Sequence, residues 1–198
     1  MWDTGNYQGR KRMRVAFIRH GLTAGNLEKR YIGTTDEPLC SEGIAQLKSQ
    51  TYPACEVLIC SPMKRCIQTA ELLYPAQDIE VCDELRECDF GSFEGKNYKE
   101  LSDDPDYQRW IDSGGEMPFP NGESPADFRQ RCAAAFKMIV RKYAHSGSIA
   151  FVVHGGTIMT VLEKYAVPHD DYFSWHCENG HGYVCGFDGT KLEITEKI

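Results

Sequence analysis

Three times along the chain a short apolar run ends in polar residues and gives way to a helical pattern. No other feature of the sequence constrains its fold as strongly. The runs are RVAFI (14–18), EVLIC (56–60) and SIAFVVH (148–154). Their apolar residues stand side by side instead of alternating, which suits strands covered on both faces, as in a parallel sheet flanked by helices. Helical spacing lies between and after them in SEGIAQLKSQ (41–50), with Ser41 expected as N-cap, in KRCIQTAELLY (64–74) and in GGTIMTVLEKYAV (155–167). The clearest helix spans Pro125 to Ala144. Ser124 is its cap, Pro125 lies in the first turn and Asp127 takes the third position. Phe128, Cys132, Ala135, Phe136, Ile139, Val140 and Tyr143 hold a three-four spacing, and Gly147 follows its end. DGTKLEITEKI (188–198) adds a turn and a last strand. This alternation predicts an α/β fold, a three-layer α/β/α arrangement with a mostly parallel central sheet.

A length of 198 residues suits one sizeable domain, read here as 13–198. Residues 1–12 form a locally basic tail, with Arg10, Lys11 and Arg12 against Asp3. The rhythm breaks between about 91 and 122, where Pro, Gly and acids surround Trp110 and Phe119. This stretch reads as an inserted helix with loops. Ligands in open α/β sheets sit outside the carboxyl ends of the strands, so the insertion is placed to serve as a lid.

The polar clusters at the three strand ends carry the chemistry. The first is Arg19, His20 and Gly21. The second is Ser61 and Pro62, with Arg65 in the following helix. The third is His154, Gly155 and Gly156. Equivalent ends of parallel strands lie together, so two arginines and two histidines are expected at one sheet edge beside helix N-termini, an arrangement that traps anions. The chain as a whole is acidic, with 22 basic and 29 acidic residues and a net charge of −7. That balance argues against a nucleic-acid binder and makes the trap a local positive pocket.

Competing chemistries fail on spacing. A cysteine nucleophile with a phosphate-binding loop needs five residues before its arginine, and only four separate Cys60 from Arg65. Asp104 lies in an acidic run with no apolar strand before it, and Walker, nucleophile-elbow and dinucleotide patterns are absent. His176, Cys177, His181 and Cys185 fit no standard zinc spacing and read as a β-turn between strands, so neither metal nor other cofactor is expected. The nine cysteines include no CxxC pair, and several lie in apolar stretches such as VLIC and GYVCGF as small hydrophobes. With no signal peptide or membrane-length apolar run, a reduced cytoplasmic protein without membrane association is expected.

Together RHGLTAGN (19–26), YIGTTDEPLCSEG (31–43), CSPMKRCIQTAELL (60–73), LRECDFGSFEG (85–95), FPNGES (119–124) and VVHGGTI (152–158) resemble the phosphoglycerate mutase-like histidine phosphatases, in family order across most of the chain. The resemblance implies that His20 is the nucleophile that becomes phosphohistidine and that Arg19, Arg65 and His154 hold the phosphoryl oxygens. It makes Glu87 the proton donor to the leaving alcohol. Glu84 is a nearby alternative outside the motif register. Asn26 and Thr23 would line the phosphate end, and Gly155 would offer its backbone N–H. The chemistry then requires a neutral His20 whose other ring nitrogen is held by an acceptor. It also requires a Glu87 carboxyl with a raised pKa, expected here from surrounding carboxylates and phosphate.

The implied partner is a small-molecule phosphate ester. Mutases of this family are generally longer and carry more basic residues in the insertion. Here Lys96, Lys99 and Arg109 are outnumbered by acids, which favours hydrolysis over mutase-type phosphoryl transfer. LRECDFGSFEGK and FPNGES look like the α-ribazole phosphatases, making α-ribazole 5′-phosphate the leading substrate, with Trp110, Phe119 and Trp175 as candidates to stack on its base. A non-catalytic phospho-ligand-binding module is the alternative of another class.

Overall fold

The computed structural model describes residues 12–198. Apart from Arg12, which ion-pairs with Glu193, the expected tail over 1–12 lies outside the described residues. Seven strands make one sheet: β1 (Met13–Arg19), β2 (Val57–Cys60), β3 (Ile79–Val81), β4 (Ser148–Val153), β5 (Ala166–Val167), β6 (Gly182–Phe187) and β7 (Leu192–Lys197). Their order is β3-β2-β4-β1-β6-β7-β5. The block β3-β2-β4-β1 is parallel, with Phe17 and Ile59 both in register with Phe151. Beyond it, β6 runs antiparallel to both β1 and β7, and β5 is parallel to β7.

The contiguous apolar runs become β1, β2 and β4 because both faces of this block are covered. All six residues of β4 are buried. Ile149, Phe151 and Val153 point to one side, where Phe17 and Ile59 meet α5 (Pro125–Lys142) and α6 (Gly155–Tyr165) through Phe136, Ile139, Val161 and Leu162. Ala150 and Val152 point to the other, against Cys66 and Ala70 of α3 (Lys64–Leu73). The result is the expected three-layer arrangement. α5 starts as its sequence dictates, with Ser124 Oγ accepting the Asp127 N–H at 3.0 Å and donating to the Asp127 carboxylate at 2.7 Å.

One helix starts a residue earlier than its sequence suggests. α2 (Ser41–Lys48) is capped by Cys40, whose Sγ accepts the Gly43 N–H at 3.4 Å, while Ser41 is already helical. A tertiary bond decides this: Cys40 N–H donates to the Leu22 carbonyl at 2.9 Å and so fixes where the helix begins.

The stretch from 91 to 122 holds a 3-10 turn and α4 (Pro105–Asp112). It carries its own small core of Phe93, Leu101 and Phe119, packed with Phe128 and Cys132 of α5. This packed unit stands beside the carboxyl ends of the parallel strands. All nine cysteines are free thiols. Among the described residues no helix is long and apolar enough to cross a membrane.

Candidate active site

The ends of β2, β4 and β1 are neighbours in the sheet, and they bring Arg19, His20, Ser61, Arg65 and His154 to one edge. His20 follows β1 and is held by its own N–H on the Val153 carbonyl at 2.9 Å. Its Nδ1 lies 2.8 Å from the Gly21 carbonyl, which makes Nδ1 the protonated nitrogen and leaves Nε2 with a free electron pair. Its ring meets that of His154 edge-on at 5.2 Å. Burial, then Arg65, then Arg19, push the His20 pKa well below its ordinary value, so the ring is neutral at neutral pH.

Both arginines are donors held in place, Arg65 buried and Arg19 half-buried. Arg65 is fully buried and gives Nη1 to the Thr35 carbonyl at 2.8 Å and Nη2 to the Gly33 and Ile32 carbonyls at 3.0 and 3.3 Å. Arg19 gives Nη1 to the Cys177 carbonyl at 2.8 Å. In each, the buried Nε–H has no protein acceptor. A buried donor without an acceptor costs about 1–3 kcal/mol, and an anion placed at the site would relieve it. Gly155 lies against Arg19: a Cβ there would stand in van der Waals contact with Arg19 Nε at 3.4 Å.

His154 ends β4 and caps α6, with Nε2 2.7 Å from Ser61 Oγ. Burial, then Arg65, keep it neutral as well. Glu87 approaches from the loop after β3, its Oε1 accepting the Cys88 N–H at 3.0 Å. A Cβ on Gly156 would fall 2.8 Å from that oxygen, so only glycine lets the carboxyl rest on the α6 terminus. Its pKa is raised, as expected, but by burial. The Cys88 N–H, Arg65 and Arg19 oppose the shift, and no neighbouring carboxylate drives it. Glu84 is exposed and takes part only through its carbonyl, which accepts from Arg131 at 2.7 Å.

Thr23 and Asn26 stand beside His20 and bond each other through their side-chain oxygens as acceptors, which leaves the Thr23 hydroxyl hydrogen and the Asn26 Nδ2–H groups to donate to an anion. Thr23 Oγ accepts the Asn26 N–H, and Asn26 Oδ1 accepts the Thr23 N–H, each at 3.3 Å. They brace the short helix α1 (Ala24–Leu27) beside the histidine.

Two contributors, Asn179 and Thr69, carry no signal in the sequence pattern, and Ser61 carries only its place at a strand end. Asn179 is buried and donates to the His20 carbonyl at 3.1 Å and to Asn26 Oδ1 at 3.0 Å. Thr69 accepts the Gly21 N–H at 3.0 Å and donates to the Arg65 carbonyl at 2.6 Å. Ser61 was visible at a strand end, but not its bond to His154. The turn holding Asn179 follows a 3-10 helix (Tyr172–Trp175), not a strand, and leads into β6. The histidines and cysteines of this stretch point apart: His181 Nδ1 bonds the Ile198 carbonyl at 2.9 Å and Cys185 lies in the core. Among the described residues no three His, Cys, Asp or Glu side chains are grouped to hold a metal.

A cavity of about 280 Å³ opens above Arg19 and Glu87. Tyr31, Trp110, Phe119, Phe128 and Tyr172 form much of its wall. Trp175 is not among them, because its indole is buried against Tyr183 and donates to the Asp170 carbonyl at 3.2 Å.

Residues 15–197 match the family model described as histidine phosphatase superfamily (branch 1). The adenosylcobalamin/α-ribazole phosphatase of Escherichia coli is 27% identical over 160 residues, covering 77% of this chain and 78% of its own. An acid phosphatase of Mycobacterium tuberculosis is 28% identical over 188 residues, covering 91% and 89%. The crystal structure of the α-ribazole phosphatase from Shigella flexneri superposes with a TM-score of 0.83 over 92% of this chain and 95% of that one; at 23% identity it speaks for the fold.

Proposed function

The chain belongs to the histidine phosphatase superfamily and is a phosphatase; from that premise we propose that it hydrolyses small phosphomonoesters through a phosphohistidine on His20. One observation carries the reading: His20, its Nδ1–H committed to the Gly21 carbonyl, stands between two arginines that each hold a buried, unpartnered Nε–H. In the first step Nε2 gives its electron pair to phosphorus as the bond to the leaving oxygen breaks, and protonated Glu87 delivers its proton to that oxygen. Arg19, Arg65 and His154 face the equatorial oxygens, and the fixed guanidiniums stabilise their charge without rearranging. In the second step the Glu87 carboxylate takes a proton from water, the water oxygen bonds phosphorus, and the P–N bond returns its electron pair to His20. Thr23 Oγ–H, the Asn26 carboxamide and the Gly155 backbone N–H at the start of α6 line the phosphate end beside them. The relatives' names and the aromatic wall support α-ribazole 5′-phosphate as a substrate.

Rapid quenching of the reaction with a ³²P-labelled ester into alkaline detergent, with EDTA throughout, tests the reaction. An acid-labile label on the wild-type chain, absent from His20→Ala, is the expected result. Label retained in that variant, or turnover that requires added metal, overturns it. Glu87→Gln should lower kcat by about 10²–10⁴-fold for a poor leaving group and abolish the alkaline limb of the pH profile. That limb lies above the ordinary carboxyl range because the Glu87 pKa is raised, and the acid limb falls below the ordinary histidine range because the His20 pKa is lowered.

A further inference from the structure

Beyond the phosphate end, the cavity is notable for the charge it lacks. Among the described residues its lining contains two guanidinium groups and no lysine: Arg19 at the floor and Arg129 on the wall. Arg129 is already engaged. Its Nη1 and Nη2 donate to the two oxygens of Glu116 at 3.2 and 2.9 Å, and its guanidinium lies 4.5 Å from the centre of the Tyr172 ring. The two-point geometry fills the fork with which an arginine would grip a carboxylate or a second phosphate. Glu116 comes from the loop after α4 and Arg129 from α5, so the pair also joins the insertion to the cavity wall. His176 is the remaining basic group of the lining, and burial, followed by Arg19, holds its pKa down, so it offers no charge at neutral pH. The other walls present ring faces and edges, with the Tyr31 hydroxyl engaged to that of Tyr107 at 3.2 Å.

We propose that the site selects phosphomonoesters whose alcohol bears a flat, uncharged ring and no second anionic group, and that Glu116 sets this preference by occupying Arg129. The proposal rests on the phosphatase reading above and adds its substrate class. Glu116 is a positioning residue that acts through Arg129. An exposed ion pair is ordinarily worth little. This one is bidentate and stacked on an aromatic ring; Glu116 is 61% exposed, but the Arg129 side chain is only 27% exposed, so the guanidinium end is shielded more than in a free surface bridge. A substrate carboxylate would have to displace Glu116 or remain unpaired in an aromatic cavity, and either outcome disfavours it.

Benzyl phosphate and 4-carboxybenzyl phosphate differ by one carboxylate at a distance from the reacting bond, and the ratio of their kcat/KM values isolates this effect. Wild-type protein should favour the uncharged ester by tenfold or more. Glu116→Gln, which keeps volume but removes the competing charge, should narrow that ratio at least fivefold, with the change carried by KM for the carboxylated ester. Glu116→Asp should restore part of the wild-type ratio. In the Glu116→Gln/Arg129→Met double variant the gain should vanish. A wild-type ratio near one, or a ratio unchanged in Glu116→Gln, overturns the selectivity and leaves the phosphohistidine reaction standing. Failure of the wild-type protein to hydrolyse either ester, with no label on His20, removes both.

Discussion

Backbone carbonyls aim the charged side chains of this site. Arg65 spends two of its three nitrogens on Thr35, Gly33 and Ile32, and Arg19 spends one on Cys177, so each guanidinium is fixed before any ligand arrives. Preorganisation of this kind is where enzymes gain most of their electrostatic stabilisation. Asn179 does similar work for the nucleophile. Its carboxamide ties the His20 carbonyl to Asn26, and the neighbouring Gly180 N–H reaches the same carbonyl at 3.2 Å. Because Gly180 partly duplicates that bond, Asn179→Ala should cost only about 1 kcal/mol of stability. The displaced imidazole should matter more: kcat is expected to fall roughly tenfold with KM little changed, since misplacement near an in-line attack is costly. A kcat equal to wild type in steady-state assays would remove Asn179 from the positioning network.

Among the elements, those whose fate depends on local pattern were readable. β1, β2 and β4 follow from their apolar runs, and α5 follows from Ser124, Pro125 and its apolar stripe. Arg19, His20, Arg65 and His154 were legible because they stand where those patterns end. The positioning of Asn179 depends on a turn packed against β1 from far along the chain, and periodicity carries no trace of such a contact. Edge strand β3 is three residues long, too short to show a period, and the source of the Glu87 shift is burial, which only the fold reveals. The start of α2 shows the same limit. Residue type favours Ser41, but the bond from Cys40 N–H to the Leu22 carbonyl sets the boundary one residue earlier. Sulfur is a weak acceptor, so Cys40→Ser, with a hydroxyl at the true cap, should stabilise the protein by about 0.5–1 kcal/mol in urea unfolding. No gain, or a loss, would mean that the thiol packs more favourably than it caps.

At the scale of the molecule, the sheet edge that builds the site also makes the fold sensitive to acid. His20 and His154 are buried in neutral form between arginines. Each has a folded pKa below its ordinary value of 6.5, so the unfolded chain binds a proton that the folded chain refuses. Stability is therefore full above about pH 6.5 and falls as pH drops below it, by about 1.4 kcal/mol per pH unit for each proton refused. Glu87 acts in the opposite sense. Its folded pKa lies above its ordinary 4.5, so its contribution grows as pH falls through the folded value and is complete below 4.5. The carboxylates with lowered pKa, Glu42, Glu80, Glu100, Asp170 and Asp188, lose stabilisation only below their ordinary values near 4 and leave the window from 6.5 to 5 to the histidines and Glu87. Urea midpoints across that window should decline for the wild-type protein. His20→Asn should flatten the slope by about one proton, and Glu87→Gln should steepen it by removing the opposing uptake. If His20→Asn leaves the slope unchanged, His20 is protonated in the folded protein at pH 6. Its Nε2 would then carry a proton where the phosphohistidine reaction needs an electron pair, so this stability measurement also tests the nucleophile without any substrate.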